Sequence, residues 1–274
     1  MGRLRRSQRV AAITRTLVNR PASFFPLGFF TQMLDAAKST ISEDLALMKQ
    51  AFGSMAMGKI ETLTGATGGV RYLPCVEPQD THDTLERLCR TLSDPSRILP
   101  GGFLYMADII FHPSWAQDLG EIFATRFWGA SPDVVVTVET KGIPLAMMTA
   151  RSMGLPLVVV RRDHRVTEGS ALSINYVSGS SHRIQTMSLP RRALQPGVKV
   201  LAIDDFMKAG GTARGIVDLM GEFGASVVGT GVLVETEEPR EKLVSGFTSL
   251  AILLGIDEVS KRVSIKPAPY PRGS

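Results

Sequence analysis

The stretch VKVLAIDDFMKAGGTARG, Val198 to Gly215, constrains this chain more than any other. An apolar run rich in Val, Leu and Ile ends in two adjacent carboxylates. It then passes through small residues into what reads as a helix. Strand, small-residue loop and helix start is an arrangement α/β proteins use to bind phosphates, because turn N–H groups and the positive end of the following helix face the anion. Ala209, Gly210 and Gly211 supply such a turn, and Thr212 adds a hydroxyl. Asp204 and Asp205 cannot hold a phosphate. Ionised carboxylates only accept hydrogen bonds, so they suit vicinal hydroxyls. A carboxylate pair beside a monophosphate nest describes a ribose 5-phosphate. A strand-end turn pair, a Mg²⁺ site or a helix cap are the competing readings of the two aspartates.

The surrounding sequence has the matching period. Apolar runs alternate with helical patterns: DVVVTVET then IPLAMMTARSMG, LPLVVVRR, VKVLAIDD then GTARGIVDLMGEFG, and ASVVGTGVLVE then PREKLVSGF. Strands buried on both faces, each followed by a helix, imply an α/β domain with a mainly parallel sheet. Ligands of such sheets bind at the carboxyl ends of the strands. Two further strand ends carry charge there: Glu139-Thr140-Lys141-Gly142, and Arg161-Arg162. Lys141, Arg161 and Arg162 suit a doubly charged group at the other end of the sugar, such as pyrophosphate. Neither G-x-G-x-x-G nor G-x-x-x-x-G-K-[ST] accounts for the loop.

Charge divides the chain. Through Pro74, ten Lys/Arg stand against four Asp/Glu, and from Cys75 onward 21 stand against 22. The excess positive charge therefore sits in the first quarter, which suggests a polyanion-binding head on a neutral body, residues 1–74 and 75–274. Val10, Ile13, Leu17 and Val18 predict one helix, ended by Pro21. PLGFFTQMLDA predicts a second and AKSTISEDLALMKQAFG a third, with Ser39 as a cap and Ile41, Leu45 and Met48 inward. GKIETLTGATGGVRYLP reads as a hairpin. Helix-helix-helix-hairpin is the order of a winged helix. Its third helix would enter the major groove of double-stranded DNA and its hairpin tip would lie along the backbone or in the minor groove. The expected contacts are a basic arm of Arg3, Arg5, Arg6 and Arg9, then Lys38, Ser39, Thr40, Ser42 and Lys49, and Thr67 and Arg71 of the hairpin. Glu43 and Asp44 are either helix caps or acceptors for a cytosine amino group.

Other classes find no support. Two cysteines make no disulfide framework, the four histidines lack metal-ligand spacing, and no metal site is expected. No apolar run reaches the ~18–20 residues of a membrane span, and no signal-peptide pattern follows the N-terminus. A cytoplasmic protein with reduced thiols and no membrane association is the resulting expectation.

VLAIDDFMKAGGT resembles the PRPP-binding signature of type I phosphoribosyltransferases. With RRSQRV, KSTISEDL, LPGG, TKGIPLA, VTEGSALSINYVSGSS and RIQTMSL, the chain closely resembles the bacterial purine operon repressor family as far as about residue 255. The last ~20 residues add nothing to the likeness. The resemblance implies a winged-helix domain fused to a type I phosphoribosyltransferase-like domain, in a homodimer that binds inverted-repeat operators upstream of purine genes. PRPP would be the effector that releases it, with Mg²⁺ accompanying the pyrophosphate and no obligatory cofactor. Asp204 and Asp205 would hold the ribose hydroxyls; Ala209, Gly210, Gly211 and Thr212 the 5-phosphate; Thr140, Lys141 and Gly142 the pyrophosphate, with Arg161 and Arg162 beside them. Phe103 either lines the site or is an ordinary core aromatic. Arg162 to Leu189 stands where the enzymes have a mobile loop; a structural hairpin is the other reading, and its small polar residues also suit DNA phosphates. A working purine phosphoribosyltransferase is the alternative function. Against it, Phe206, Met207 and Lys208 are bulky and cationic where the enzymes carry an acidic or hydroxyl group, and Lys208 suits a phosphate better than a base role. A guanosine nucleotide bearing pyrophosphate on its ribose has a similar charge pattern and is expected to compete with PRPP.

Overall fold

The computed structural model describes residues 4–63, 68–162, 169–177 and 184–269. The chain divides into two compact units, Met1–Glu77 with Arg151–Gly154, and Pro78–Ala150 with Leu155–Ser274.

The first unit begins with α1 (Arg6–Asn19), α2 (Leu27–Leu34) and α3 (Lys38–Ser54), followed by a hairpin of β1 (Lys59–Leu63) and β2 (Gly69–Leu73). Ile13 and Leu17 of α1, Phe30 of α2, and Ile41, Leu45, Met48 and Phe52 of α3 form one core with Ile60 and Val70 of the hairpin. Each such side chain, taken fully from water, contributes about 2 kcal/mol. Pro26, at φ −59°, sets the entry to α2, and Asp35 in the left-handed region ends it. Phe25 and Val70 exchange backbone hydrogen bonds of 2.9 Å, a short rung that ties the segment before α2 to the hairpin. The winged-helix order is therefore present. Ser39 is not a cap, however. The N-cap of α3 is Ala37, with no side-chain hydrogen bond, so Glu43 and Asp44 fall in the second turn.

The second unit runs α4 (Pro78–Leu92), a small hairpin β3 (Ile98–Leu99) and β4 (Phe103–Leu104), α5 (Ala107–Ile110), α6 (Pro113–Phe127), β5 (Val134–Val138), α7 (Gly142–Met153), β6 (Leu157–Val160), β7 (Ala171–Val177), β8 (Ile184–Pro190), β9 (Lys199–Met207), α8 (Gly211–Glu222), β10 (Ser226–Thr236), β11 (Phe247–Asp257) and β12 (Arg262–Pro267). Its main sheet has the order β12-β11-β10-β9-β5-β6. Every pairing is parallel except β11 with the edge strand β12. From β5 the chain moves one way to β6, and later returns to the other side of β5 as β9. The order reverses between β5 and β9, and a crevice opens at such a switch point, beyond the carboxyl ends of the strands.

One pair of alternatives is narrowed here, and one expectation changes. Arg162 to Leu189 contains an antiparallel ribbon, β7 with β8, in register from Ala171↔Pro190 to Val177↔Ile184. Tyr176 and Met187 are buried in the core, so the described part is the structural hairpin. PREKLVSGF is not a helix. Its Leu243 N–H donates to Ala209 O, and Gly246 has φ +70°, so the segment is an irregular strap leading into β11.

Candidate functional site

At the switch point lies a cavity of about 550 Å³, lined by the ends of β5 and β9, the turns after them, Arg162 and the start of α8. Of the residues singled out from sequence, Thr140, Lys141, Arg162, Asp204, Asp205, Phe206, Met207, Lys208, Ala209, Gly210, Gly211 and Thr212 line it. Lys141, Arg162 and Lys208 are exposed cations. Met207 is buried, its side chain packed with Ala213 and Val232, so it lends backbone rather than side chain.

The floor of the cavity explains Gly142. A Cβ there would collide with Thr137 Oγ1 and stand 3.1 Å from Asp204 Oδ1, so only glycine lets the turn lie against the aspartate. Asp204 accepts the Asp205 N–H through Oδ1 at 2.9 Å. Loss of hydration, and then the Asp205 carboxylate beside it, raise the Asp204 pKa well above the usual aspartate value, while the more distant charge of Arg162 opposes the rise. This is a carboxyl pair that a diol can relieve, since two hydroxyls donate to it.

The turn after β9 meets the requirements of an anion seat. Gly210 has φ +83° and is the N-cap of α8, with no side chain capping the helix. The first amides of a twelve-residue helix therefore face the cavity end with their dipoles aligned toward it.

Three expected residues stand elsewhere. Phe103 is 63% exposed on the β3–β4 hairpin and does not line the cavity. Gly142 acts beneath the wall, as described. Arg161 donates to Glu139 Oε2 at 3.1 Å. Glu139 also accepts the Arg162 N–H at 2.7 Å and lines the cavity. The sequence reading put Glu139 at a charged strand end but gave it no contact with the ligand. Its place directly after the β5 run DVVVTV was the available signal.

In the first unit, Lys38, Ser42 and Lys49 line a cavity of about 740 Å³, together with Thr62 and the start of α2. Ser39 is exposed and Thr40 half-buried on the same first turn of α3. The basic arm is corrected in part. Arg9 is buried on α1, its Nε donating to Asp44 Oδ2 at 2.7 Å and its NH2 to Oδ1 at 3.1 Å. Asp44 is 0% exposed, so it neither caps the helix nor reaches a base. Arg6 lies on α1 too, paired with Glu43 at 3.1 Å and with Asp44 at 3.5 Å. Arg5 is exposed at the N-cap of α1. Arg71 is held within the hairpin, donating to Glu61 at 2.7 Å and stacking 4.4 Å over Phe24. Arg3 and Thr67 lie outside the described residues.

Comparison with known proteins agrees with both units. The family model for the N-terminal part of the bacterial purine repressor matches residues 5–74, and the phosphoribosyl transferase domain matches residues 108–264. The purine biosynthesis transcriptional repressor PurR of Bacillus subtilis (strain 168) is 46% identical over 98% of this chain and 95% of its own length. The purine biosynthesis transcriptional activator PurR of Lactococcus lactis subsp. lactis is 36% identical, over 96% and 97%. Adenine phosphoribosyltransferase from Thermoanaerobacter pseudethanolicus superposes with a TM-score of 0.52 at 21% identity, covering 61% of this chain and 98% of the enzyme. That last likeness is one of fold.

Proposed function

We propose that this chain, which belongs to the bacterial purine repressor family, is a DNA-binding regulator of purine biosynthesis whose second unit senses PRPP. The carrying observation is the cavity at the β5/β9 switch point, whose lining brings together a carboxyl pair, an uncapped helix start and exposed cations. PRPP has the complementary pattern: one phosphate, a diol and a pyrophosphate along one sugar. Asp204 and Asp205 accept the ribose hydroxyls, the 209–212 turn receives the 5-phosphate, and Lys141 and Arg162 face the pyrophosphate. Mg²⁺ would accompany the pyrophosphate and offset its charge beside Lys141 and Arg162. A guanosine nucleotide with pyrophosphate on its ribose meets the same groups and competes.

The first unit binds an inverted-repeat operator as part of a homodimer, with α3 in the major groove and Lys38, Ser42 and Lys49 toward the DNA. PRPP lowers operator affinity only by binding the free state more tightly than the DNA-bound one. Repression is the sense named for the B. subtilis relative. Titrating the operator complex with PRPP tests the reading: release is expected, and an operator affinity indifferent to saturating PRPP contradicts it. Incubation of PRPP with adenine, guanine, xanthine or hypoxanthine is expected to yield no nucleotide.

A further inference from the structure

The strap between β10 and β11 is tied to the turn after β9 by a backbone hydrogen bond and by the packing of Val244. Leu243 N–H donates to Ala209 O at 2.9 Å. A Cβ on Gly210 would stand 3.3 Å from Leu243 N and 3.5 Å from Val244 Cγ2, so strap and turn are in close contact. Val244 also packs against the cluster of Met207, Ala213 and Val232, which anchors one end of the strap under the start of α8. What closes the other end is Lys242. Its Nζ donates to Thr236 O at 2.6 Å and reaches Thr236 Oγ1 at 3.5 Å. The Thr236 hydroxyl in turn donates to Glu238 O at 2.6 Å. The strap is thus folded back on the last residue of β10, and that fold aims the next amide, Leu243 N–H, at the turn. Lys242 is half-buried, and burial lowers its pKa, as it does for an ammonium drawn in from water.

We propose that Lys242 is a positioning residue for the phosphate-receiving turn. It touches no ligand, and it holds the strap so that Leu243 fixes the Ala209 carbonyl and leaves the following amides turned toward the anion. This rests on the reading of the 209–212 turn as the 5-phosphate seat. Among the described residues the Lys242 ammonium donates only to Thr236, and neither residue lines the cavity.

The two halves of the cavity allow a differential test on the full chain, by calorimetric titration with ribose 5-phosphate and, separately, with inorganic pyrophosphate. Lys242→Met is expected to weaken ribose 5-phosphate about tenfold, the loss of one charge-assisted hydrogen bond, and to leave pyrophosphate unchanged. Lys242→Arg is expected to restore the first affinity. Should the methionine variant fold poorly, Lys242→Gln carries the same comparison. Unchanged ribose 5-phosphate affinity in a folded variant overturns the proposal, as does equal weakening of both ligands, which marks a structural role alone. Wild-type protein that binds pyrophosphate but no ribose 5-phosphate overturns instead the reading of the turn on which the proposal stands.

Discussion

Glu61 in the hairpin of the first unit and Asp204 at the end of β9 are both partly buried carboxylates, and they have moved in opposite directions. Burial pushes Glu61 up, but hydrogen bonds from Arg71 and then Lys59 outweigh it, and its pKa is lowered. Burial pushes Asp204 up as well, and its nearest charged neighbour is a second carboxylate, so its pKa is raised. The same desolvation is answered by cations in one place and aggravated by an anion in the other. Glu43, Asp44 and Glu61 of the basic unit are each paired with a cation of the same unit and serve the fold. The acidic pair of the second unit is left in a state that a ligand can improve.

The largest expected effect lies on the neutralised side. Asp44→Ala leaves Arg9 inside the first unit without its carboxylate, with only the Leu4 carbonyl still accepting from it, and an uncompensated buried charge is strongly destabilising. The first unit should lose roughly 10 °C or more of Tm. Both tryptophans, Trp115 and Trp128, belong to the second unit. Their fluorescence should therefore report a body transition near that of wild type, while helical circular dichroism reports the loss. Replacing both partners, Arg9→Met with Asp44→Leu, should recover much of it. If Asp44→Ala unfolds no earlier, the pair is not internal.

Asp204→Asn tests the opposite side. A group with a raised folded pKa favours the fold when protonated. Asp204 therefore stabilises below the ordinary aspartate range, and that contribution is lost as pH rises through its raised value. The amide should make the second unit more stable at neutral pH, with the gain shrinking in acid, and it should weaken PRPP binding. Denaturant unfolding at two pH values measures this, and a destabilised neutral-pH variant breaks the comparison.

Glu61→Gln should give a smaller, reverse effect. A lowered pKa contributes stability above the ordinary glutamate range and loses it as pH falls through the lowered value. The variant should lose a few °C at neutral pH and converge with wild type in acid, as followed by thermal melting. The smallest effect belongs to Arg5→Ala, which should leave stability alone and lower by about one the steepness with which operator affinity falls with salt.

Where the sequence was readable, periodicity and punctuation agreed. The three helices, the hairpin and the parallel strands followed from apolar spacing, Pro21, Pro26 and the strand-loop-helix at Val198–Gly215. The cavity's composition was largely legible too, because strand ends in such sheets converge. Arg9 and Asp44 were misjudged because a basic stretch suggests a solvated arm. A finer signal was present. Arg9 stands four residues before Ile13 on α1, and Asp44 three residues after Ile41 on α3, so both occupy apolar stripes. The strap at 237–246 was unreadable by period, since its shape is set by the long-range bond from Leu243 to Ala209. Arg161 was assigned by its place at a strand end, which says nothing of Glu139 across the β5–β6 pair.

The most direct test is operator binding titrated with PRPP, wild type against Asp204→Ala/Asp205→Ala. The two carboxylates are worth on the order of 1.5–3 kcal/mol each as acceptors of ribose hydroxyls. The double variant should bind the operator as wild type does without PRPP, need a hundredfold or more PRPP for release, and so behave as an uninducible repressor. Release of the variant at wild-type PRPP levels would contradict the assignment of the acidic pair to the ligand.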